Sequence, residues 1–143
     1  MVIEESITIS ASPDRVWRTF TDLTCWADWN TVIKNLSSDN VSLEKGETFK
    51  FSMRPFMFPV YLDLFIEEVI PNKLIVWSGS KFGLFARHEF VFEESEERVI
   101  VISRESFGGM TLDSVSLIFP EKRIRKMTKS LLRDLKEAAE NKK

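Results

Sequence analysis

Apolar residues recur along this chain with two different periods. Near the amino terminus, Ile3, Ile7 and Ile9 stand at odd positions among polar neighbours, and this period of two predicts a strand over residues 2–10. Between residues 33 and 107 the period is again two, with turn signals at short intervals. The strands predicted there cover residues 33–42, 47–54, 60–70, 74–80, 85–93 and 98–107. Connections this short imply antiparallel hairpins, so we expect a six-strand meander.

Helical spacing occurs on both sides of the meander. Ser12 and Pro13 suit the N-cap and first position of a short helix, and a second short helix is predicted over residues 24–29. After residue 109 a stripe at i, i+3 and i+4 predicts a long amphipathic helix. The stripe consists of Ile124, Met127, Leu131, Leu135 and Ala138. Pro120 either opens this helix or kinks one that begins near Leu112.

Length and composition exclude several classes of protein. A chain of 143 residues without a repeat or linker predicts one domain over residues 1–143. One His and one Cys cannot build the usual zinc sites, so we expect no metal and no cofactor. Cys25 has no local base and is expected to be a packing residue in a reducing compartment. The acidic start and the lack of a long apolar stretch favour a cytoplasmic protein without stable membrane insertion.

Several motifs, in the order of these elements, resemble a known superfamily. They are SPDRVWRTFTDLTCWADWN, EEVIPNKLIVW, HEFVFEES and ISRESFGGM. They resemble the START-like (SRPBCC, helix-grip) superfamily, and most of all its polyketide cyclase/dehydrase-like branch. The resemblance implies an α+β fold in which a curved antiparallel sheet of about seven strands wraps around a long C-terminal helix, with two short helices after the first strand. It also implies a ligand cavity between sheet and helix.

One set of the predicted turns is apolar. Successive turns of a meander fall at alternate ends of the sheet, so these apolar residues are expected to share one end. They are Phe56, Met57, Phe58, Phe82, Leu84, Phe85, Phe107 and Met110. They form either the rim and lid of a cavity mouth or a cap on the core.

The same period of two brings candidate polar residues together. His88, Phe90 and Phe92 share one face of their strand, and Glu105 shares a face of the next strand with Phe107. With a suitable register, His88 and Glu105 are neighbours on the concave side. There they either orient a polar ligand group, act as an acid/base pair, or form a satisfied structural pair.

The predicted last helix carries an excess of positive charge. Residues 121–136 contain seven Lys or Arg and two Asp or Glu. This excess indicates either a solvated outer face or a surface for an anionic partner such as a membrane or RNA. The formal net charge of the whole chain is -2, and the strand aromatics lack the context of RNA-stacking sheets, so we expect no nucleic-acid partner.

From these features we expect a protein that binds or transports a small hydrophobic ligand: a lipid, a polyketide, a sterol-like molecule or a quinone. Members of the superfamily bind such ligands, some catalyse cyclisation or dehydration, and one branch activates a heat-shock ATPase. The expected ligand-binding residues are Phe58, Trp77, Phe85, His88, Phe90, Phe92, Glu105, Phe107 and Met110. The alternatives are a cyclase/dehydrase-type enzyme that uses His88 and Glu105, and a protein-interaction module resembling the heat-shock ATPase activators. A monomer or a homodimer is expected.

Overall fold

Seven strands pair into one antiparallel sheet in the computed structural model, which describes residues 1–55, 57–81, 83–109 and 120–141. The strands are β1 (Val2–Ile9), β2 (Lys34–Ser38), β3 (Thr48–Met53), β4 (Val60–Ile70), β5 (Leu74–Lys81), β6 (Leu84–Ser95) and β7 (Arg98–Gly109). The helices are α1 (Pro13–Thr21), α2 (Trp26–Trp29) and α3 (Glu121–Glu140), and a 3₁₀ turn at Leu23–Cys25 precedes α2.

The strand order is β1-β7-β6-β5-β4-β3-β2. The predicted six-strand meander is therefore confirmed, and β1 joins it antiparallel to β7. The curved sheet wraps around α3, which is the α+β architecture that the resemblance implies. None of the described helices is long and apolar enough to cross a membrane.

β2 ends earlier than the sequence predicts. It stops at Ser38 instead of residue 42, whereas the other strands end within two residues of their predicted limits. Asn35 has a φ of 53°, and the pairing with β3 shifts register between Lys34 and Ser37. The hydroxyl of Ser38 then accepts a hydrogen bond from the backbone N–H of Asn40 at 3.1 Å. This local side-chain bond replaces the sheet pairing and ends the strand.

α1 fixes the carboxyl end of α3. The hydroxyl of Ser12 accepts from the backbone N–H of Arg15 at 3.2 Å, which confirms the predicted N-cap. The guanidinium of Arg15 donates to the carbonyl oxygens of Ala139, at 2.6 Å, and Asn141, at 2.5 Å. These bonds satisfy carbonyls that a helix end leaves without intrahelical donors, and they hold the two helices together.

α3 buries a broader face than the predicted stripe. Its buried residues are Ile124, Thr128, Leu131, Leu132, Leu135 and Ala139. Met127 and Ala138, which the stripe included, are only partly buried. β1, α1 and α2 all pack against the helix, so residues on both sides of the narrow stripe are covered. Pro120 stands just before Glu121 and opens the helix; the alternative start near Leu112 lies outside the described residues.

Phe20 lies at the centre of an aromatic core. It is fully buried, and its ring contacts those of Trp26, Trp77, Phe90 and Phe92, with centroids 4.7 to 6.0 Å apart. The indole N–H of Trp26 donates to the carbonyl oxygen of Phe20 at 2.9 Å. The short helices are thereby fixed against the inner face of the sheet.

Cys25 is exposed, so the prediction that it packs in an apolar environment is wrong. The 3₁₀ turn directs its thiol towards the carboxylate of Asp22, with Sγ 3.4 Å from Oδ2.

Candidate functional site

One row of residues on the inner face of the sheet crosses five strands. The register places Ile3 beside Glu105, Glu105 beside His88, His88 beside Trp77, and Trp77 beside Ile66. Alternation along each strand turns all five side chains towards α3. His88 and Glu105 are thus direct cross-strand neighbours on the concave side, as the sequence predicts.

A cavity of about 70 Å³ lies between this row and α3. It is lined by the next inward positions on β5 and β6, Gly79 and Ala86, which are cross-strand neighbours and carry almost no side chain. Met127 and Leu131 of α3 form part of the opposite wall. The wall of the cavity is largely apolar. The cavity lies between the main aromatic core and a smaller cluster of buried apolar residues near the start of α3.

The imidazole of His88 has a fixed orientation in this cavity. Its Nε2 lies 2.6 Å from the hydroxyl oxygen of Ser103, and its Nδ1 lies 3.5 Å from Oε2 of Glu105. The ring stacks on Phe90 with centroids 4.1 Å apart, and Trp77 meets it edge-on at 5.7 Å. Two polar partners and two aromatic rings therefore restrain the imidazole.

Burial shifts the two titratable groups in opposite directions. It raises the pKa of Glu105 from 4.5 to about 7, and it lowers the pKa of His88 from 6.5 to about 3. Both shifts arise because the charged form of each group loses its water. Below neutral pH the pair therefore holds one proton and no net charge. In this state Nε2–H of the imidazole donates to the hydroxyl of Ser103 at 2.6 Å, whereas Oε2 of Glu105 is 3.5 Å from Nδ1, so the proton of Glu105 is available to another acceptor.

This arrangement offers a neutral proton donor to a ligand group that enters an apolar space. Within the described ranges, no three His, Cys, Asp or Glu side chains lie close enough together to hold a metal ion.

The expected ligand-binding residues fall into four groups, of which three are described first. Trp77, His88, Glu105 and Phe107 line the cavity. Phe90 and Phe92 are buried in the aromatic core next to it, because their rings pack on Phe20 and not on the open space. Met110 lies outside the described residues.

Phe85 and Phe58 are not among the cavity-lining residues. Phe85 lies three positions from His88 on β6, so alternation turns it to the outer face of the sheet, where it is 46% exposed. Phe58 lies on the connection between β3 and β4 and is 67% exposed.

The apolar turns do not act as one group. Leu84 and Phe107 are buried and line the cavity, whereas Met57 is 79% exposed. Phe56, Phe82 and Met110 lie outside the described residues. Among the described residues of this set, Leu84 and Phe107 therefore form part of the cavity wall, whereas Met57 lies in an exposed apolar segment.

Sequence reasoning missed two small residues that line the cavity and the hydroxyl that holds His88. Gly79 and Ala86 carry no functional group, and Ser103 was not singled out. The sequence did indicate the position of two of them. Ala86 is two positions from His88, and Ser103 is two positions from Glu105, so each shares a face of its strand with a candidate residue. The space itself could not be inferred, since it depends on which small residues are paired across strands.

Comparisons with solved structures show the fold again. The protein TTHA0849 of Thermus thermophilus superposes with a TM-score of 0.79 at 17% identity, over 97% of each chain. The hypothetical protein jhp0584 of Helicobacter pylori also gives 0.79 at 17% identity, over 97% of this chain and 88% of that one. The Aha1 dimer of Colwellia psychrerythraea gives 0.69 at 23% identity, over 98% of this chain and 96% of that one. At such identities the likeness establishes the fold alone.

The sequence comparison is more specific. No curated protein matches the chain. The family described as "Polyketide cyclase / dehydrase and lipid transport" matches residues 1–140. That match covers both helical ends and the whole sheet, so this chain belongs to the polyketide cyclase/dehydrase and lipid transport family.

Proposed function

We propose that this protein binds a small hydrophobic ligand in the cavity between the sheet and α3. One observation carries the proposal: a largely apolar cavity contains the neighbouring polar groups of His88, which is buried, and Glu105, which is partly buried. Binding sites for small molecules combine apolar walls with a few fixed polar groups in this way. Membership of a family that includes lipid transport supports the same function. The pair would orient the ligand by a hydrogen bond to one neutral polar group.

The size of the cavity adds a requirement. An engineered cavity of roughly 150 Å³ accepts benzene, so about 70 Å³ is too small for one aromatic ring. A ligand must therefore displace side chains as it enters. Met53 and Met127 line the cavity and are only partly buried. Unbranched methionine side chains change rotamer readily, so these two are the residues that we expect to move.

Ala86→Leu tests the proposal by filling the cavity. Added carbon atoms occupy the space without adding a charge, and cavity filling commonly stabilises proteins by about 0.5–2 kcal/mol. We therefore expect a higher melting temperature without ligand, together with loss of binding of a neutral probe, decanol, in isothermal titration calorimetry. Native mass spectrometry should also show that a ligand which co-purifies with the wild type is absent from the variant.

Ala27→Leu provides the matched control, because Ala27 is exposed on α2. It adds the same carbon atoms outside the cavity and should leave decanol binding unchanged. If Ala86→Leu folds and binds decanol as tightly as the wild type, the ligand site is elsewhere.

A second function is favoured by the protonation of the same pair. The pKa of Glu105, raised to about 7, gives the cavity both a carboxylic acid and a carboxylate near neutral pH. A carboxylate there removes a proton from the carbon next to a ligand carbonyl, and the acid returns it to an oxygen, as cyclisation and dehydration require. Deuterium incorporation into the methyl group of acetophenone tests this function. Glu105→Gln should abolish incorporation but retain decanol binding; equal incorporation in both proteins would exclude an acid/base role.

A further inference from the structure

A broad cleft beside the cavity is lined by cations. It lies between α3 and β3, and its cationic side chains are those of Lys34, Arg54, Arg123 and Lys126. No Asp or Glu is among the described residues that line it. All four cations are exposed, and together they give this side of the protein a positive potential despite the net charge of -2.

These cations differ from others on the same helix. Arg125 pairs with Glu5, and Lys136 pairs with Glu140, both with nitrogen-to-oxygen distances of 2.5 Å. Within the described part of the chain, by contrast, Arg123 and Lys126 form no ion pair. Some of the positive charge of α3 is therefore neutralised near β1, whereas Arg123 and Lys126, like Lys122, Lys129 and Arg133, have no carboxylate partner among the described residues. Arg123 and Lys126 differ from those three because they line the cleft.

The remaining two cleft cations are also without a carboxylate partner among the described residues. Lys34 has none, and Arg54 donates only to the backbone carbonyl of Met57, at 3.2 Å. Cations gathered without counter-charges repel one another, and an anion placed among them relieves that repulsion.

The cleft adjoins the cavity, and three side chains stand between them. Val32, Met53 and Met127 line both. A ligand that leaves the cavity between these three side chains therefore reaches the cations. The deep end disfavours a negative charge, because Glu105 there becomes an anion near neutral pH. The two ends of the path thus select a ligand with one neutral end and one anionic end.

We propose that the ligand is an amphiphile with an apolar body in the cavity and a carboxylate or phosphate group in the cleft. This inference rests on the proposed binding function and adds the chemical class of the ligand. The anionic group is held by Arg123 and Lys126 of α3, facing Lys34 and Arg54 across the cleft. Arginine and lysine side chains are suited to carboxylate and phosphate groups in such positions.

The test compares decanoate and decyl phosphate with the uncharged decanol by calorimetry at low salt. A charge at about 4 Å contributes about 1 kcal/mol in water, so two cations with partial screening give roughly a tenfold effect. Replacing both Arg123 and Lys126 by Gln should weaken binding of the anionic probes about tenfold and leave decanol unchanged. The probe that loses more affinity identifies the head group as carboxylate or phosphate.

The matched control replaces both Lys122 and Lys129 by Gln. It removes two exposed positive charges from the same helix at positions outside the cleft lining. It should leave all three affinities unchanged. Equal losses in both double variants would assign the effect to overall charge and overturn the inference.

Two further results would also overturn the inference of an anionic ligand. Both can be distinguished from a result that refutes the proposed binding function. If neither decanoate nor decyl phosphate binds more tightly than decanol, the ligand site stands and the anionic class is wrong. If phosphatidylglycerol vesicles bind the protein through Arg123 and Lys126 while decanoate is not favoured over decanol, the cleft serves a membrane surface. If none of the three probes binds, the proposed binding function itself fails.

Discussion

Glu105→Gln should change how the stability of this protein depends on pH. The pKa of Glu105 is about 7 in the folded protein and 4.5 when unperturbed; for His88 the corresponding values are about 3 and 6.5. Between pH 4.5 and pH 6.5 both states hold one proton on the pair, on Glu105 when folded and on His88 when unfolded. The pair therefore contributes almost no slope to wild-type stability in this range.

The two contributions have opposite signs. The folded state retains the proton of Glu105, so that stabilisation is present below pH 4.5 and is lost as the pH rises to about 7. The folded state excludes a proton from His88, so that stabilisation is present above pH 6.5 and is lost as the pH falls to about 3. Glutamine removes only the first contribution. At about 1.4 kcal/mol per pH unit, the variant should gain about 3 kcal/mol relative to the wild type between pH 4.5 and pH 7.5.

Urea denaturation followed by tryptophan fluorescence, at four pH values over that range, measures the difference. Glu94→Gln makes the same chemical change at an exposed position of β6 and should follow the wild-type profile.

Parallel profiles for Glu105→Gln and the wild type would refute the reasoning. They would mean that Glu105 has the same protonation in the folded and unfolded states, and that the carboxyl group is not desolvated at this site.

Two further predictions concern the supports of the site. Ser12→Ala removes the N-cap of α1, so the free energy of unfolding should fall by about 1 kcal/mol in urea denaturation; an unchanged value would show that the cap contributes nothing. Phe20→Ala empties the centre of the aromatic core and should lower the free energy of unfolding by about 3–5 kcal/mol, whereas Phe85→Ala on the outer face should cost far less. Similar losses in these two variants would contradict the assignment of core and outer face.

Much of the fold was predictable because most turns and strands carried a local signal in the sequence. The turns at Gly46 and Asn72 have φ values of 86° and 63°, which these two residue types adopt at low cost. The tight turn at Glu96 and Glu97 also has positive φ, and only the alternation of the flanking strands predicted it. The early end of β2 was not readable, since its shift of register depends on pairing with β3.

The site was predictable in part for a similar reason. Alternation predicted that His88 and Glu105 would be neighbours if the register allowed it, and the regular pairing of β6 with β7 provides that register. Phe85 was misplaced because its apolar neighbours suggested a turn, whereas β6 begins at Leu84 and obeys the same alternation. The cleft cations were visible as an excess of charge on the last helix, but only the fold separates Arg123 from the paired Arg125.

The pairing of β1 with β7 also governs the order of folding. Val2 pairs with Ser106, and Ile9 pairs with Val99. During synthesis, β1 therefore cannot pair in the sheet until β7, about ninety residues or more further along the chain, has been made. At 5–20 residues per second, synthesis of that stretch takes roughly 5–20 s. Throughout that interval β1 lacks its partner in the sheet, and the inner face of the sheet still lacks α3. Contacts between such distant segments slow folding, so a nascent chain of this architecture exposes apolar surface until its last helix is synthesised.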